Sequence, residues 1–284
     1  MINVDNKLPM QSVVGKIHSP LGKRYRVSSN GEPKMLPSFG GITYNFSLGD
    51  KVFEIKGDHV EPDISIRNEN REENESLNML ACIGNEAKVL TGEMKGSVGH
   101  VIGKHGVVDH IMIHFSKDIK MELNIDDKIQ IKAIGQGLEI SHQNDIRVMN
   151  IDPILLERIA SVNNKGELKV NVCCKIPSYL IGSGLGSDNP CIGDFDIMSD
   201  DRRELNKYGI QNLKIGDIVL IEDLDCLYGV CYYNRSKTIG VVVHGDSIQP
   251  GHGPGIVPII TTRVSNFDIT HIDDANIMKY IGKE

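Results

Sequence analysis

The sequence predicts a mainly β (α+β) fold, a β-barrel or sandwich with few helices. Three observations carry that expectation. Short β-branched runs recur at the spacing of sandwiches and barrels, at 86–91, 98–103, 108–115, 167–174 and 238–244, with glycine-rich turns between them. Three segments repeat one phrase, an apolar residue and a turn pair ending in aspartate, then a strand. They are Leu48-Gly49-Asp50 before 52–55, Ile125-Asp126-Asp127 before 129–131, and Ile215-Gly216-Asp217 before 218–221. An aspartate there bonds nearby backbone amides, so these three are expected to be structural. Helical signals are confined to 152–160, where Asp152-Pro153 reads as cap and first turn, to 199–208, which opens on Ser199-Asp200-Asp201, and to 273–281.

Size and charge narrow the class of protein. A chain of 284 residues, 40% hydrophobic, can bury one large core or two modest ones. A formal charge of -7 gives no basic footprint, which argues against nucleic acid as a partner. No apolar run approaches the roughly 18 residues that span a bilayer. Residues 1–21 include His, Gln, Gly and Pro where a signal peptide is unbroken and apolar, so a cytoplasmic protein with no membrane partner is expected. The six cysteines show no CxxC spacing and are expected as free thiols.

Residues 67–78 are polar but for Leu77 and read as a solvated linker. That divides the chain into a main β-rich domain, 1–66 with 150–284, which carries the site, and a barrel domain at 79–149. The stretch 87–103 resembles the KOW-type strand pair of small SH3-like barrels. In ribosomal and transcription proteins that motif touches RNA, but the charge here is mixed and stacking aromatics are absent, so the barrel is read as structural. Several short strands leave edges to cover, and a homo-oligomer is expected.

The most distinctive segment is an apolar run, 241–243, that ends in His244-Gly245-Asp246-Ser247-Ile248-Gln249-Pro250-Gly251-His252-Gly253-Pro254-Gly255. A shorter copy, Gly57-Asp58-His59-Val60-Glu61-Pro62, stands upstream, and both read Gly-Asp-x-(Val/Ile)-(Glu/Gln)-Pro. Glycines and prolines after a strand turn the backbone sharply and leave carboxylates and imidazoles to project beyond it, as a divalent metal site (Zn, Mn or Ca) requires. On an extended segment His59 and Glu61 share a face and form a natural ligand pair, with Asp58 either a third ligand or a turn cap. In Lys104-His105-Gly106, His105 sits in a turn and can meet a ligand, whereas His110 and His114 share one side of a strand. The glycine-rich stretch around Gly182, Ser183, Gly184 and Gly186, with Lys104 and Gly253, could cradle a carboxylate or phosphate. It is not a dinucleotide fingerprint, because Ser187 occupies the third glycine position.

Two resemblances follow. Over 190–262, the order GDFDI, then Leu213 to Asp217, a strand, and GVVVHGDS with a glycine-rich tail is similar to the acetamidase/formamidase family. That resemblance implies a metal-binding role for Asp196 and Asp246. The chain departs from the family at Ile248, where the family has histidine, and at 251–255, which replace its Asp-Gly-Glu, leaving His244 and His252 as substitute ligands. Nearly the whole chain, through GDHVEP, GKHG, GDFDI and HGDS...PGHGPG, resembles an uncharacterised bacterial and archaeal family of unknown function, which implies no reaction. The functional expectation is a metal-assisted hydrolase or lyase on a small amide-like or carboxylate metabolite, with Asp246, His252 and His105 as catalytic groups and an imidazole as general base. The alternatives are a non-catalytic binder of a small anion and an RNA-associated KOW-like protein.

Overall fold

The structure, a computed structural model, describes residues 7–22, 25–263 and 268–282. The first half runs β1 (Gln11–Ile17), β2 (Arg26–Val27), β3 (Pro33–Lys34), β4 (Ile42–Thr43), β5 (Asp63–Arg67), α1 (Arg71–Leu80), β6 (Glu86–Val89), β7 (Val98–His105), β8 (His110–His114), α2 (Lys117–Glu122) and β9 (Lys128–Ala133). The second half runs β10 (Ile146–Val148), α3 (Pro153–Ile159), β11 (Ala160–Val162), β12 (Leu168–Val172), β13 (Cys174–Pro177), β14 (Phe195–Asp196), α4 (Arg202–Lys207), β15 (Ile218–Asp225), β16 (Cys231–Val242), β17 (Gly255–Thr262) and β18 (Asp268–His271).

Six strands close into an antiparallel barrel in the order β1-β9-β6-β7-β8-β5, sealed by pairing of β1 with β5. Strict alternation explains its filling. In β9, Ile129, Ile131 and Ala133 point inward while Lys128, Gln130 and Lys132 face out, and Ile17, Ile64, Ile66, Val101 and Ile113 complete the interior. The expected barrel segment, 79–149, supplies four of these strands, and β1 and β5 come from upstream of the polar run. The KOW-like stretch is the β6–β7 pair.

The second half forms the sheet β10-β17-β16-β15-β13, antiparallel except where β13 pairs with β15, and β14 adds to the start of β17. A smaller sheet, β11-β12-β18, lies beside it. The two halves share a core. An irregularity in β7 between Val101 and Gly103 breaks the alternation, and Ile102 joins Met112 in the large cluster with Val243 and Leu155 instead of facing the barrel interior.

The three repeated aspartates behave alike. Asp50, Asp127 and Asp217 each accept the amide three residues earlier, from Ser47, Asn124 and Lys214, at 2.8–2.9 Å. The strand expected at 52–55 is absent. Those residues form a turn, because Val52 commits its amide to Leu213 O and its carbonyl to the Asp246 amide, across the chain instead of along a ladder. At 273–281 only a 3-10 turn, Ile277–Lys279, forms. All six cysteines are free. Among the described residues no helix is long and apolar enough to cross a membrane.

The polar run 67–78 is not a linker. From Arg71 onward it is α1, capped by Asn70, whose side chain accepts the Glu73 amide at 3.0 Å. Leu77, fully buried against the barrel, and the half-buried Leu80 anchor it, and Asn74 and Asn78 both donate to Asp109 O. Replacing Leu77 with Ala should therefore cost about 2–4 kcal/mol in denaturant unfolding, the range for a leucine removed from a core. A change below about 0.5 kcal/mol, as expected for a surface position, would restore the linker reading.

Candidate functional site

The two Gly-Asp motif copies lie side by side where the barrel meets the second sheet. The His59 amide donates to Asp246 O and the Gly245 amide to Val60 O, each at 2.9 Å, and Ser247 Oγ donates to Asp58 Oδ1 at 2.7 Å. His59 is in the left-handed region, at φ 56°. That conformation is uncommon for a residue with a side chain, and here long-range hydrogen bonds impose it. The bend puts Glu61 behind His105 and His110, outside the donor set that holds His59.

Around this junction stand two sets of three donors. His59, Asp196 and His252 form one, and His105, Asp194 and His244 the other, and within each set the ligand atoms lie within 4.8 Å of one another. Together the two sets draw on four places in the chain, three each: the motif loop before β5 or the end of β7, the β14 segment, and the loop between β16 and β17. In the first set Asp196 Oδ2 lies 3.3 Å from His59 Nε2 and 2.9 Å from His252 Nδ1, and those two nitrogens are 3.0 Å apart. In the second, His244 Nε2 approaches Asp194 Oδ2 at 2.8 Å and Asp196 Oδ1 at 3.4 Å. The His244 and Asp194 atoms are buried and have no hydrogen-bond partner in spite of that approach. Gly255 makes room for them, since a Cβ there would lie 2.2 Å from His244 Nε2 and 2.3 Å from Asp194 Oδ2.

A layer of acceptors sits behind the imidazoles. His59 Nδ1 is 3.1 Å from Asp58 Oδ1, His105 Nδ1 is 2.6 Å from Glu61 Oε1, and His244 Nδ1 is 2.9 Å from Gly245 O. An acceptor at Nδ1 holds the proton there and leaves Nε2 with its lone pair, the arrangement that orients histidine for a metal. Asp58 and Glu61 thus stand behind the imidazoles, outside both donor sets. Asp58 is also bound by Arg26 at 2.8 Å. Both oxygens of Glu61 are taken, by His105, His110, Ser65 Oγ and the Gly40 amide. Asp194 is positioned by the Gly106 amide, 2.8 Å from its Oδ1.

Charge follows geometry. Burial would raise the Asp196 carboxyl, but the bonds from His244, His252 and His59 outweigh it and hold the group well below the usual carboxylate range. Burial would lower His244, yet Asp194 and Asp196 hold it well above the ordinary imidazole value, and His59 is raised by Asp196 and Asp58 against the same opposition. Protons therefore occupy the place a cation would take, and metal binding would release them.

The remaining expected residues fall elsewhere. Asp246 is outside both sets: Ser199 Oγ donates to it at 2.6 Å, the Ser247 amide donates at 2.8 Å, and Arg202 pairs with it. It lines a separate polar hollow of about 240 Å³. Lys104 faces no ligand space, because its fully buried Nζ donates to Asn78 O, Asn150 Oδ1 and Cys191 O. The glycine loop is no anion nest, since the amides of Gly182, Ser183 and Gly186 go to Asp196 O, Gly251 O and Val230 O. Gly253 packs under Ile197 O. Ser183 and Gly184 do line a cleft of about 60 Å³ over the two sets, together with Arg26, Phe39 and Val107. His110 is buried on Glu61, and His114 bonds Asp63. Asp194 was missed: it stands two residues before Asp196 in GDFDI, and that spacing on an extended segment was the available signal.

The fold and this junction define a two-part β-protein with a histidine- and aspartate-rich centre between the parts. The chain belongs to the DUF4438 family, a domain of unknown function, whose N-terminal part matches 25–157 and C-terminal part 158–281. The crystal structure of TM1086 is similar to it at 41% identity and a TM-score of 0.93, over 98% of this chain and 99% of that one. No curated protein matches the sequence, and neither finding includes an acetamidase or formamidase.

Two substitutions separate these roles. Asp246→Asn should cost about 1 kcal/mol or less, as for a partly exposed ion pair, and leave zinc uptake unchanged; a tenfold weaker uptake would return Asp246 to the metal set. Burial pushes Lys104 down to about 8, whereas an unfolded lysine keeps its proton to about 10.5. Between those values the unfolded chain binds the extra proton, so stability rises with pH by up to about 3 kcal/mol. Comparing denaturant unfolding of wild type and Lys104→Met across pH 7–11 checks this. A stability gap that is flat with pH would mean that Lys104 titrates as it does in water.

Proposed function

We propose that this protein is a metal-assisted hydrolase of a small polar substrate, an amide or related carboxyl derivative, with Zn²⁺ or Mn²⁺ held by His59, Asp196 and His252. The observation that carries the reading is the layer of acceptors behind His59, His105 and His244, with His59 and His105 lining one cleft beside Asp194, Asp196 and His252. Imidazole-rich donors suit zinc or manganese and not calcium, which takes oxygen ligands. A bound divalent ion would polarise the substrate carbonyl and acidify a water beside it.

The chain's own groups supply the rest. The cleft admits only a small molecule, and Arg26 and Ser183 on its wall offer donors to a substrate oxygen or carboxylate. Asp194, beside the cleft, offers a carboxylate to accept the water's proton. Hydrolysis then forms a bond from the water oxygen to the carbonyl carbon and breaks the C–N bond, with the nitrogen leaving as the protonated amine. His105 and His252, expected as general bases, instead turn ring nitrogens toward the metal sets.

The test is chelation followed by reloading with Zn²⁺ or Mn²⁺ and a panel of small amides and esters. Turnover should depend on metal and fall at least 100-fold in His59→Ala, about 2.7 kcal/mol of transition-state stabilisation. Full metal loading, no turnover, and a rise in melting temperature with a small carboxylate would favour the non-catalytic binder.

A further inference from the structure

We infer that the centre is dinuclear: His105, Asp194 and His244 hold a second divalent cation, and Asp196 bridges the two ions. This deepens the reading above and rests on its first metal position. The carrying observation is that the two oxygens of Asp196 serve different sets. Its Oδ2 faces His59 Nε2 at 3.3 Å and His252 Nδ1 at 2.9 Å, while its Oδ1 faces His244 Nε2 at 3.4 Å. Two-metal hydrolytic centres place their ions about 3.5–4 Å apart, a spacing that one carboxylate can span.

A second, independent observation points to an ion at the new position. His244 Nε2 and Asp194 Oδ2 are buried, with side chains 0% and 3% exposed, and approach each other at 2.8 Å while neither has a hydrogen-bond partner. A buried pair left without a hydrogen bond of good geometry is costly, and a shared cation that displaced the His244 proton would satisfy both atoms. The surroundings agree. Glu61 fixes His105 from behind, Gly245 O fixes His244, the Gly106 amide takes the other oxygen of Asp194, and Gly255 leaves the space between them open. Four imidazoles with two carboxylates make a set of six donors for two divalent ions, which is the ligand economy of a carboxylate-bridged pair.

The experiment is metal stoichiometry with the full chain, read by equilibrium dialysis and elemental analysis, together with electron paramagnetic resonance of the Mn²⁺-loaded protein. Wild type should saturate at two ions per chain and show a spin-coupled manganese pair. Asp194→Asn and, separately, His244→Gln should each bind one ion and give an uncoupled Mn²⁺ signal, with folding checked by circular dichroism. Wild type saturating at one ion, or two ions without coupling, overturns the inference, and neither measurement depends on a variant folding. One ion with metal-dependent hydrolysis would leave the hydrolase reading standing and remove this one. Two coupled ions without hydrolysis would do the reverse.

Discussion

The carboxylates of Asp58, Glu61, Asp194 and Asp196 are confined with the imidazoles of His59, His105, His244 and His252 at the junction of the barrel and the second sheet, and each carboxylate faces an imidazole. Glu61 is wholly buried and takes bonds from His105, His110, Ser65 and Gly40, and Asp196 is held by three imidazoles. An isolated carboxylate there would be strongly unfavourable, so the backbone around it must be fixed before the charges are tolerable. The left-handed turn at His59, the glycine at 255 and the crossing of the two motif copies all follow from that requirement. Charged groups so placed stabilise little by themselves. They do specify one arrangement of the two halves.

Much of the architecture could be read from residue patterns. Alternation in β9 and the recurrent aspartate turns marked strands and their starts, because both are local signals of period two or of fixed offset. Closure of the barrel could not be read in this way. β1 and β5 lie far from β6–β9 in sequence, and their pairing is a tertiary event that no window contains. The helix at 71–80 was hidden for the opposite reason: its apolar contacts with the barrel, Leu77 and the half-buried Leu80, fall at its C-terminal end, too few for an amphipathic period to register.

The site divides similarly. The motif loops located His59, His244 and His252, and the GDFDI turn located Asp196, since glycine and proline mark backbone that must bend to present side chains. Direction was not legible. Extended-chain geometry paired His59 with Glu61, but the bend imposed by the Asp246 and Val60 hydrogen bonds sent Glu61 behind His105. The same crossing turned Asp246 away, toward Ser199 and Arg202, although it occupies the motif position equivalent to Asp58. Near-identical sequence therefore serves two tasks, one aspartate steering a histidine and the other bracing a loop.

Each donor set straddles the boundary between the two family segments. His59 and His105 come from the first, and Asp194, Asp196, His244 and His252 from the second. Neither segment alone can surround a cation, since the first brings a single imidazole to each position and the second leaves each open on the barrel side. A cation seated there would bind across the boundary, adding a chelate to a seam whose apolar core the two segments already share. Such a centre would couple metal binding to the stability of the junction through mass action, so that the supply of metal would tune the seam locally.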